Sequence, residues 1–225
     1  MLQTCAILLL QHRRTLIKKG AEANIYITSW YGKKAITKVR AVKPYRHKSL
    51  DTEIRRRRTV HEANMLSVAK TAGVLSPFVY FIDPVACEIV MEFISGKNAK
   101  DLINARLSLQ IGKYAGLLHS KNIVHGDLTT SNFIVGKRLV LVDYGLSFYS
   151  ERLEDKAVDV RLIKEIYNSA HFALFESLFD NFLSGYSDIM SESGTRKILE
   201  KVSDIEARGR YAPQADEPQK FKHMI

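Results

Sequence analysis

The stretch from His125 to Gly145 constrains this chain more than any other. It reads His125-Gly126-Asp127-Leu128-Thr129-Thr130-Ser131-Asn132, then a short apolar run, Leu139–Val142, that ends in Asp143-Tyr144-Gly145. Three oxygen-bearing side chains, Asp127, Asn132 and Asp143, thus stand at the ends of short elements. Hard oxygen donors of this kind suit Mg²⁺, which takes one or two of them from protein and completes its shell with phosphate or water. A further carboxylate can orient an attacking hydroxyl or water and accept its proton. Gly145 lets the backbone turn sharply behind Asp143. An Asp and an Asn at this spacing are common by chance in exposed turns. The apolar strand that delivers a second Asp, with an aromatic residue and a glycine behind it, is not.

The rest of the chain alternates in a way that gives this stretch a setting. Strand patterns fall at Cys5–Leu10 (weak), Thr15–Lys19, Asn24–Thr28 and Ala35–Arg40, with Trp30-Tyr31-Gly32-Lys33 as a hairpin turn. After the basic loop Lys43-Pro44-Tyr45-Arg46-His47-Lys48, a helix capped by Asp51 or Thr52 should run to about Ala72 and stop at Gly73, with Ala63, Leu66 and Ala69 on one face. Two strands, Phe78–Ile82 and Ala86–Glu92, should meet at a turn on Asp83-Pro84. Beyond Gly96 the pattern turns helical, with segments at Leu107–Ser120, Ala157–His171, Phe172–Leu183 and Gly194–Ala207. A strand-rich front and a helical back predict an α+β chain of two lobes, 1–94 and 95–210, with a tail over 211–225. Tyr167, Phe172, Phe175, Phe179 and Phe182 are expected in the core of the second lobe.

Composition narrows the class. The 225 residues, 46% hydrophobic and 26% charged, are those of an ordinary globular protein with a sizeable core. The apolar run Cys5–Leu10 is too short to span a bilayer, and neither a membrane nor a secretory signal is expected. Cys5 and Cys87 fit neither a disulfide framework nor a metal site, which predicts reduced thiols and a place in the cytoplasm or nucleus. The formal charge of +10 favours anionic partners, with nucleic acid first among them. The run Arg55–Arg58 wraps a helix, so its four cations cannot all face one way. They either sit in solvent, order the preceding loop or meet a nucleic-acid backbone.

Asp127 and Asn132 stand at the spacing of the protein-kinase catalytic loop, and Asp143-Tyr144-Gly145 resembles its metal-binding turn. Upstream, Ala35-Ile36-Thr37-Lys38 resembles the strand that carries the phosphate-gripping lysine of kinases. Such a lysine needs a carboxylate to hold it. Glu62 is the natural candidate, and Glu53, nine residues earlier on the same helix, competes. Met91, Glu92 and Phe93 form the link between lobes where an adenine ring would find apolar walls and backbone hydrogen-bonding groups. The departures from ordinary kinases are equally informative. A G-x-G-x-x-G loop is absent, Gly126 replaces the usual arginine, and the short segment from Gly145 to Asp159 contains no A-P-E. That argues against a signalling kinase that docks peptides there and is activated by loop phosphorylation.

A more specific resemblance runs from about Leu16 to Arg210. Ile17-x-x-Gly20-Ala21-Glu22-Ala23, Lys43-x-Tyr45-Arg46-His47, Arg56-Arg57-Arg58-Thr59-x-x-Glu62-Ala63, the His125–Asn132 loop and Glu154-Asp155-Lys156-Ala157-Val158-Asp159 resemble the small atypical serine/threonine kinase of the KEOPS complex, the PRPK-type family. The resemblance implies a minimal bilobal kinase fold that uses ATP and Mg²⁺. In it Lys38, Glu62 and Asp127 are catalytic, and Asn132 and Asp143 hold metal. Ile17, Gly20, Ala21, Glu22, Ala23, Lys38, Met91, Glu92, Phe93, Asn132 and Asp143 surround the nucleotide, and Asp159 braces the catalytic loop. It also implies kinase or ATPase activity supporting formation of threonylcarbamoyladenosine in tRNA, with links to telomere maintenance and transcription. The implied partners are a transferase subunit on the second lobe, a small subunit on the first, and tRNA through the complex. The family's basic ending is not kept, because Arg208-Gly209-Arg210 is followed by Tyr211-Ala212-Pro213 and by Asp216 and Glu217. The alternative is a small-molecule phosphotransferase resembling aminoglycoside and choline kinases, which share the His-Gly-Asp loop. A third reading is a module in which nucleotide only sets shape.

Overall fold

The computed structural model of the chain describes residues 14–210, with side chains through Arg208. The strand pattern at Cys5–Leu10 and the tail over 211–225 therefore lie outside the described residues. The front half is a five-stranded antiparallel sheet of β1 (Thr15–Lys19), β2 (Ala23–Trp30), β3 (Lys33–Arg40), β4 (Val79–Asp83) and β5 (Glu88–Glu92), in the order β1-β2-β3-β5-β4. Trp30 pairs with Lys33 across a two-residue turn in which Tyr31 (φ 48°) and Gly32 (φ 77°) both take positive φ. That is the hairpin geometry which matches strand twist. At the other hairpin, Asp83 Oδ1 accepts from the backbone nitrogens of Val85 (2.8 Å) and Ala86 (2.9 Å). Cys87 closes that turn at φ 57°, so β5 begins at Glu88 and not at Ala86 as the sequence pattern suggested.

Helix α1 (Lys48–Thr71) packs behind the sheet and buries Ala63, Met65, Leu66 and Ala69. Its start corrects the expected cap. His47 holds the N-terminal position, and Asp51 lies inside the first turn, buried, where its carboxylate takes Arg55 Nε at 2.7 Å and the Lys43 nitrogen at 3.3 Å. A carboxylate in a helix's first turn is favoured by the helix dipole, which is the same preference that made Asp51 resemble a cap. Gly73, at φ 90°, ends the helix as anticipated.

The back half is helical around two small sheets. Helix α2 (Ala105–Ser120) is capped by Asn104, whose side chain accepts from the Leu107 nitrogen. It is followed by β7 (Ile123–Val124), β8 (Phe133–Val135) and β9 (Leu139–Leu141). Strand β8 also pairs with β6 (Lys97–Asn98), and β7 pairs with β10 (Phe148–Tyr149). Helices α3 (Leu153–Ala170) and α4 (Phe175–Arg210) complete the lobe. Of the two segments expected at 172–183 and 194–207, Phe172–Leu174 forms a short 3-10 turn and the rest belongs to α4, which is interrupted at Ser191 (φ 68°, ψ 161°). A Cβ on Gly112 would stand 1.9 Å from the Phe182 oxygen, and one on Gly185 would stand 2.0 Å from the Leu109 oxygen. Only glycine at both positions lets α2 and α4 approach this closely. Phe175, Phe179, Phe182 and Tyr186 stack in a ladder with centroids 6.0 to 6.2 Å apart. Tyr167 and Phe182 are fully buried, but Phe172 is 77% exposed in the short turn before α4, which corrects its expected place in the core.

One hydrophobic cluster continues from α1 and β5 through Leu128, Leu141 and Tyr144 into α2, α3 and α4. The site-bearing loops therefore rest on core from both halves. Among the described residues, no helix is long and apolar enough to cross a membrane.

Candidate active site

Strand β3 pairs with β2 on one side and β5 on the other, which fixes Lys38 opposite Ile25 and Ile89. Side chains alternate along a strand, so Lys38 and Arg40 share a face, the one turned toward α1. There Lys38 Nζ meets Glu62 Oε1 at 2.6 Å, and Asp143 Oδ1 at 2.9 Å. Glu62 is fully buried, while the competing Glu53 is exposed on another side of the helix. Burial works against the Lys38 ammonium, but Glu62 and Asp143 outweigh it and hold its pKa above the usual lysine range. For Asp143, burial would raise the carboxyl, yet Lys38 and the Gly145 amide at 3.0 Å hold it below the usual carboxylate range. These two groups are thus ionised at neutral pH, whereas burial pushes the Glu62 carboxyl up against the opposing pull of Lys38 and Arg40.

The catalytic-type loop is held from below by Asp159 on α3. Its Oδ2 accepts from the His125 nitrogen at 2.6 Å and its Oδ1 from the Gly126 nitrogen at 2.8 Å. His119, at the end of α2, approaches the same carboxylate at 3.2 Å and bonds the Tyr186 hydroxyl at 2.9 Å. Gly126 has φ +79°, and a Cβ there would stand 2.5 Å from the Leu146 oxygen, so the residue that replaces arginine in this loop is one the backbone requires. His125 is buried edge-on against Tyr144, with ring centroids 5.1 Å apart. Burial pushes its pKa down despite Asp159 and Asp143 nearby. At the top of the loop, Asn132 Nδ2 donates to the Asp127 backbone oxygen (2.8 Å) and to Asp127 Oδ2 (2.9 Å).

These contacts settle which oxygens are available for a metal. The nitrogen of Asn132 is spent on Asp127, which leaves Oδ1 outward. Asp143 Oδ1 takes Lys38 and Gly145, which leaves Oδ2, on a side chain 43% exposed, without a partner among the described residues. Two hard oxygens of this kind fit Mg²⁺ and are too few to hold it without oxygens from a ligand. Consistently, no three His, Cys, Asp or Glu side chains gather into a metal cluster among the described residues.

A cleft of about 180 Å³ opens between Gly20, Glu22 and Ala23 at the β1–β2 turn and the groups Lys38, Arg40, Asp127, Asp143 and Gly145. Glu22 is tied across it, with Arg58 of α1 at 2.7 Å and Lys43 at 3.7 Å, and Lys43 also donates to the Ala21 oxygen at 2.6 Å. Ile17, Ala21, Met91, Phe93 and Asn132 do not line this cavity. Glu92 and Phe93 instead line a separate one of about 560 Å³, and Glu92 exchanges bonds with Phe78 through its backbone nitrogen and its carboxylate. The structure therefore brings Gly20, Glu22, Ala23, Lys38, Asp127 and Asp143 together and leaves the linker residues outside that cavity. Of the arginine run, Arg55 meets Asp51 and Arg58 meets Glu22, while Arg56 and Arg57 form no ion pair among the described residues.

Sequence reasoning did not find Arg40, whose Nη2 lies 2.5 Å from Glu62 Oε2. The signal was there in its spacing two residues after Lys38, on the same strand face.

An antiparallel lobe that presents a Lys–Glu pair, set over a helical lobe with an Asp–Asn loop and a strand-borne Asp, defines a protein-kinase fold with its phosphate-transfer groups assembled. Residues 11–191 match the family model described as protein tyrosine and serine/threonine kinase. Over 87% of its length the chain is 39% identical to the KEOPS complex subunit Bud32 of Pyrococcus abyssi, of which it covers 96%. Over the same share it is 42% identical to a probable bifunctional tRNA threonylcarbamoyladenosine biosynthesis protein of Methanobrevibacter smithii, but it spans only 36% of that relative's length. Among solved structures, the Rio2 kinase of Chaetomium thermophilum, in its ADP/Mg²⁺-phosphoaspartate complex, is similar over 94% of this chain and 75% of its own, with a TM-score of 0.62 at 14% identity. The chain belongs to the Bud32 family of small protein kinases.

Proposed function

We propose that this chain is the ATP-consuming phosphotransferase subunit of a KEOPS-type complex, acting in support of threonylcarbamoyladenosine formation on tRNA. The observation that carries the reading is the convergence of Lys38, Asp127 and Asp143 on one cleft, with Asn132 bonded to Asp127 outside its lining, in a chain that covers nearly all of a Bud32 relative. In this reading Lys38 grips the phosphates of ATP, and Asp127, steadied by Asn132, orients the attacking hydroxyl or water and takes its proton. Asn132 Oδ1 and Asp143 Oδ2 would hold Mg²⁺, which would offset the charge of the phosphate oxygens when bound. The transferase subunit is assigned to the helical lobe and a small subunit to the sheet lobe by family resemblance. The relatives' names support the tRNA pathway over small-molecule phosphorylation.

The test is ATP turnover by Asp127→Ala, alone and within the reconstituted complex, with tRNA modification as the second readout. Loss of a positioned proton acceptor lowers turnover by about 10²- to 10⁴-fold, and tRNA modification should fall with it. Wild-type turnover in the variant removes the reading. Loss of turnover with full modification favours a nucleotide that only sets shape.

A further inference from the structure

A cavity of about 680 Å³ on the helical lobe shares no lining residue with the cleft lined by Lys38, Asp127 and Asp143. We infer that it is a docking groove for an acidic, aliphatic peptide segment of another protein, held by Arg106, Lys137 and Arg138 over a floor of leucines. This goes beyond the proposed reaction and does not depend on it.

The floor is apolar and preformed. Leu107 and Leu117 of α2 pack against the core yet stay partly open, Leu139 comes from β9, and Ile189 of α4 is 37% exposed. The Tyr114 hydroxyl donates to the Leu139 oxygen at 2.9 Å, so its ring adds apolar surface without an idle polar group. Lys137 and Arg138 stand on the β8–β9 turn, which lies hard against the link between lobes. A Cβ on Gly136 would come within 2.3 Å of the Ser95 oxygen. Leu75, Gly136, Lys137 and Arg138 also line the cavity of about 560 Å³ beside that link, so the two adjoin along the turn. A linear segment suits such an elongated groove.

Charge identifies the occupant. The larger cavity is lined by Arg106, Lys113, Lys137 and Arg138 and by no aspartate or glutamate. Lys113 pairs with Asp188 at 2.9 Å, whereas the other three are exposed and form no ion pair among the described residues. Like charges gathered without counter-charges repel one another. An acidic segment removes that repulsion, and its aliphatic side chains cover the leucines. A purely acidic segment would leave the floor wet, and a purely aliphatic one would leave the cations unpaired and partly desolvated. Single-stranded nucleic acid fits less well, because it binds by stacking bases on aromatic faces. Tyr114 is the one aromatic residue among the described lining of the larger cavity. In the adjoining one, Phe78 and Phe93 each have a cation over the ring, Lys70 at 4.8 Å and Lys34 at 3.8 Å.

The test is fluorescence anisotropy of a labelled synthetic peptide of alternating glutamate and leucine, titrated with the full chain. A glutamate–serine peptide of equal length and an oligouridylate are its comparators. The full chain should bind the glutamate–leucine peptide, and exchange of leucine for serine should weaken binding about tenfold or more. The triple variant Arg106→Glu, Lys137→Glu, Arg138→Glu should also weaken it about tenfold or more. The pair Arg56→Glu, Arg57→Glu, a reversal away from the groove, should stay within about threefold of wild type. If the triple variant does not fold, Arg106→Gln, Lys137→Gln, Arg138→Gln takes its place with the same expectation. Equal affinity for both peptides, equal losses in both sets of variants, or no binding by the wild-type chain overturns the inference. So does an oligouridylate that binds as tightly and is lost in the same variants, which would make the groove a nucleic-acid site. A peptide that binds only after residues 211–225 are removed would assign the groove to the chain's own tail. A dimer that the triple variant dissociates would assign it to a second copy, and either result overturns the inference.

Discussion

The side-chain nitrogen of Asn132 lies 2.9 Å from the carboxylate of Asp127 and 2.8 Å from its backbone oxygen, so one amide both aims the Asp127 carboxylate and turns its own oxygen outward. Asn132→Ala should therefore damage two functions at once. Turnover should fall about 10²-fold, at the lower end of what loss of a positioned acid–base group costs. The Mg²⁺ concentration for half-maximal turnover should rise as well. A Mg²⁺ titration of ATP hydrolysis checks both, and an unchanged Mg²⁺ dependence assigns the amide to Asp127 only.

Asp159 carries a structural load as well as a positional one. Its carboxylate is 1% exposed and satisfies the backbone nitrogens of His125 and Gly126, besides facing His119. Asp159→Ala strands those donors, and an unsatisfied buried donor costs about 1–3 kcal/mol each. Urea denaturation should show a loss of about 2 kcal/mol or more. Asp159→Asn, which keeps an oxygen, should lose less.

Glu22 links the β1–β2 turn to α1 through Arg58, and both partners are substantially exposed. Exposed pairs contribute less than about 1 kcal/mol, so Glu22→Ala should barely move the denaturation midpoint. The loop is nonetheless held over the cleft by that contact. Release of a fluorescent ADP, followed by stopped flow, should quicken by about three- to tenfold in Glu22→Ala, as expected when a closing loop loses its latch.

His125 gives the protein an acid sensitivity of known sign. Burial lowers its pKa from an ordinary value of 6.5, so the unfolded chain binds a proton at mildly acidic pH that the folded one refuses. Stability from this group is fully present above pH 6.5 and is lost as pH falls below it. The denaturation midpoint should drop further between pH 7.5 and pH 5.5, either side of that value, in wild type than in His125→Gln.

The parts of the site that the sequence made legible are those fixed by local chain geometry. Asp127 and Asn132 share one loop, Asp143 ends one short strand, and Lys38 sits on a strand with its own pattern, so each could be placed without knowing the rest of the fold. Glu62 could be chosen over Glu53 only as a preference, since a helix offers both and packing decides which one is buried. What stayed hidden depends on distant segments meeting. The Arg40 contact to Glu62 spans 22 residues, and the Glu22–Arg58 latch spans 36. The cap of α1 was misplaced because an acidic residue is favoured both at a helix cap and in the first turn. The break at Ser191 left its trace in the gap between two expected helices, but hydrophobic periodicity does not reveal that they continue into one another across it.

The most direct measurement is a crystal structure of the chain grown with a non-hydrolysable ATP analogue and Mn²⁺, whose anomalous signal locates the metal. The account predicts a peak between the outward oxygens of Asn132 and Asp143, with the triphosphate reaching Lys38 and its terminal phosphate facing Asp127. A triphosphate bound elsewhere, or a metal that touches neither Asn132 nor Asp143, would contradict it.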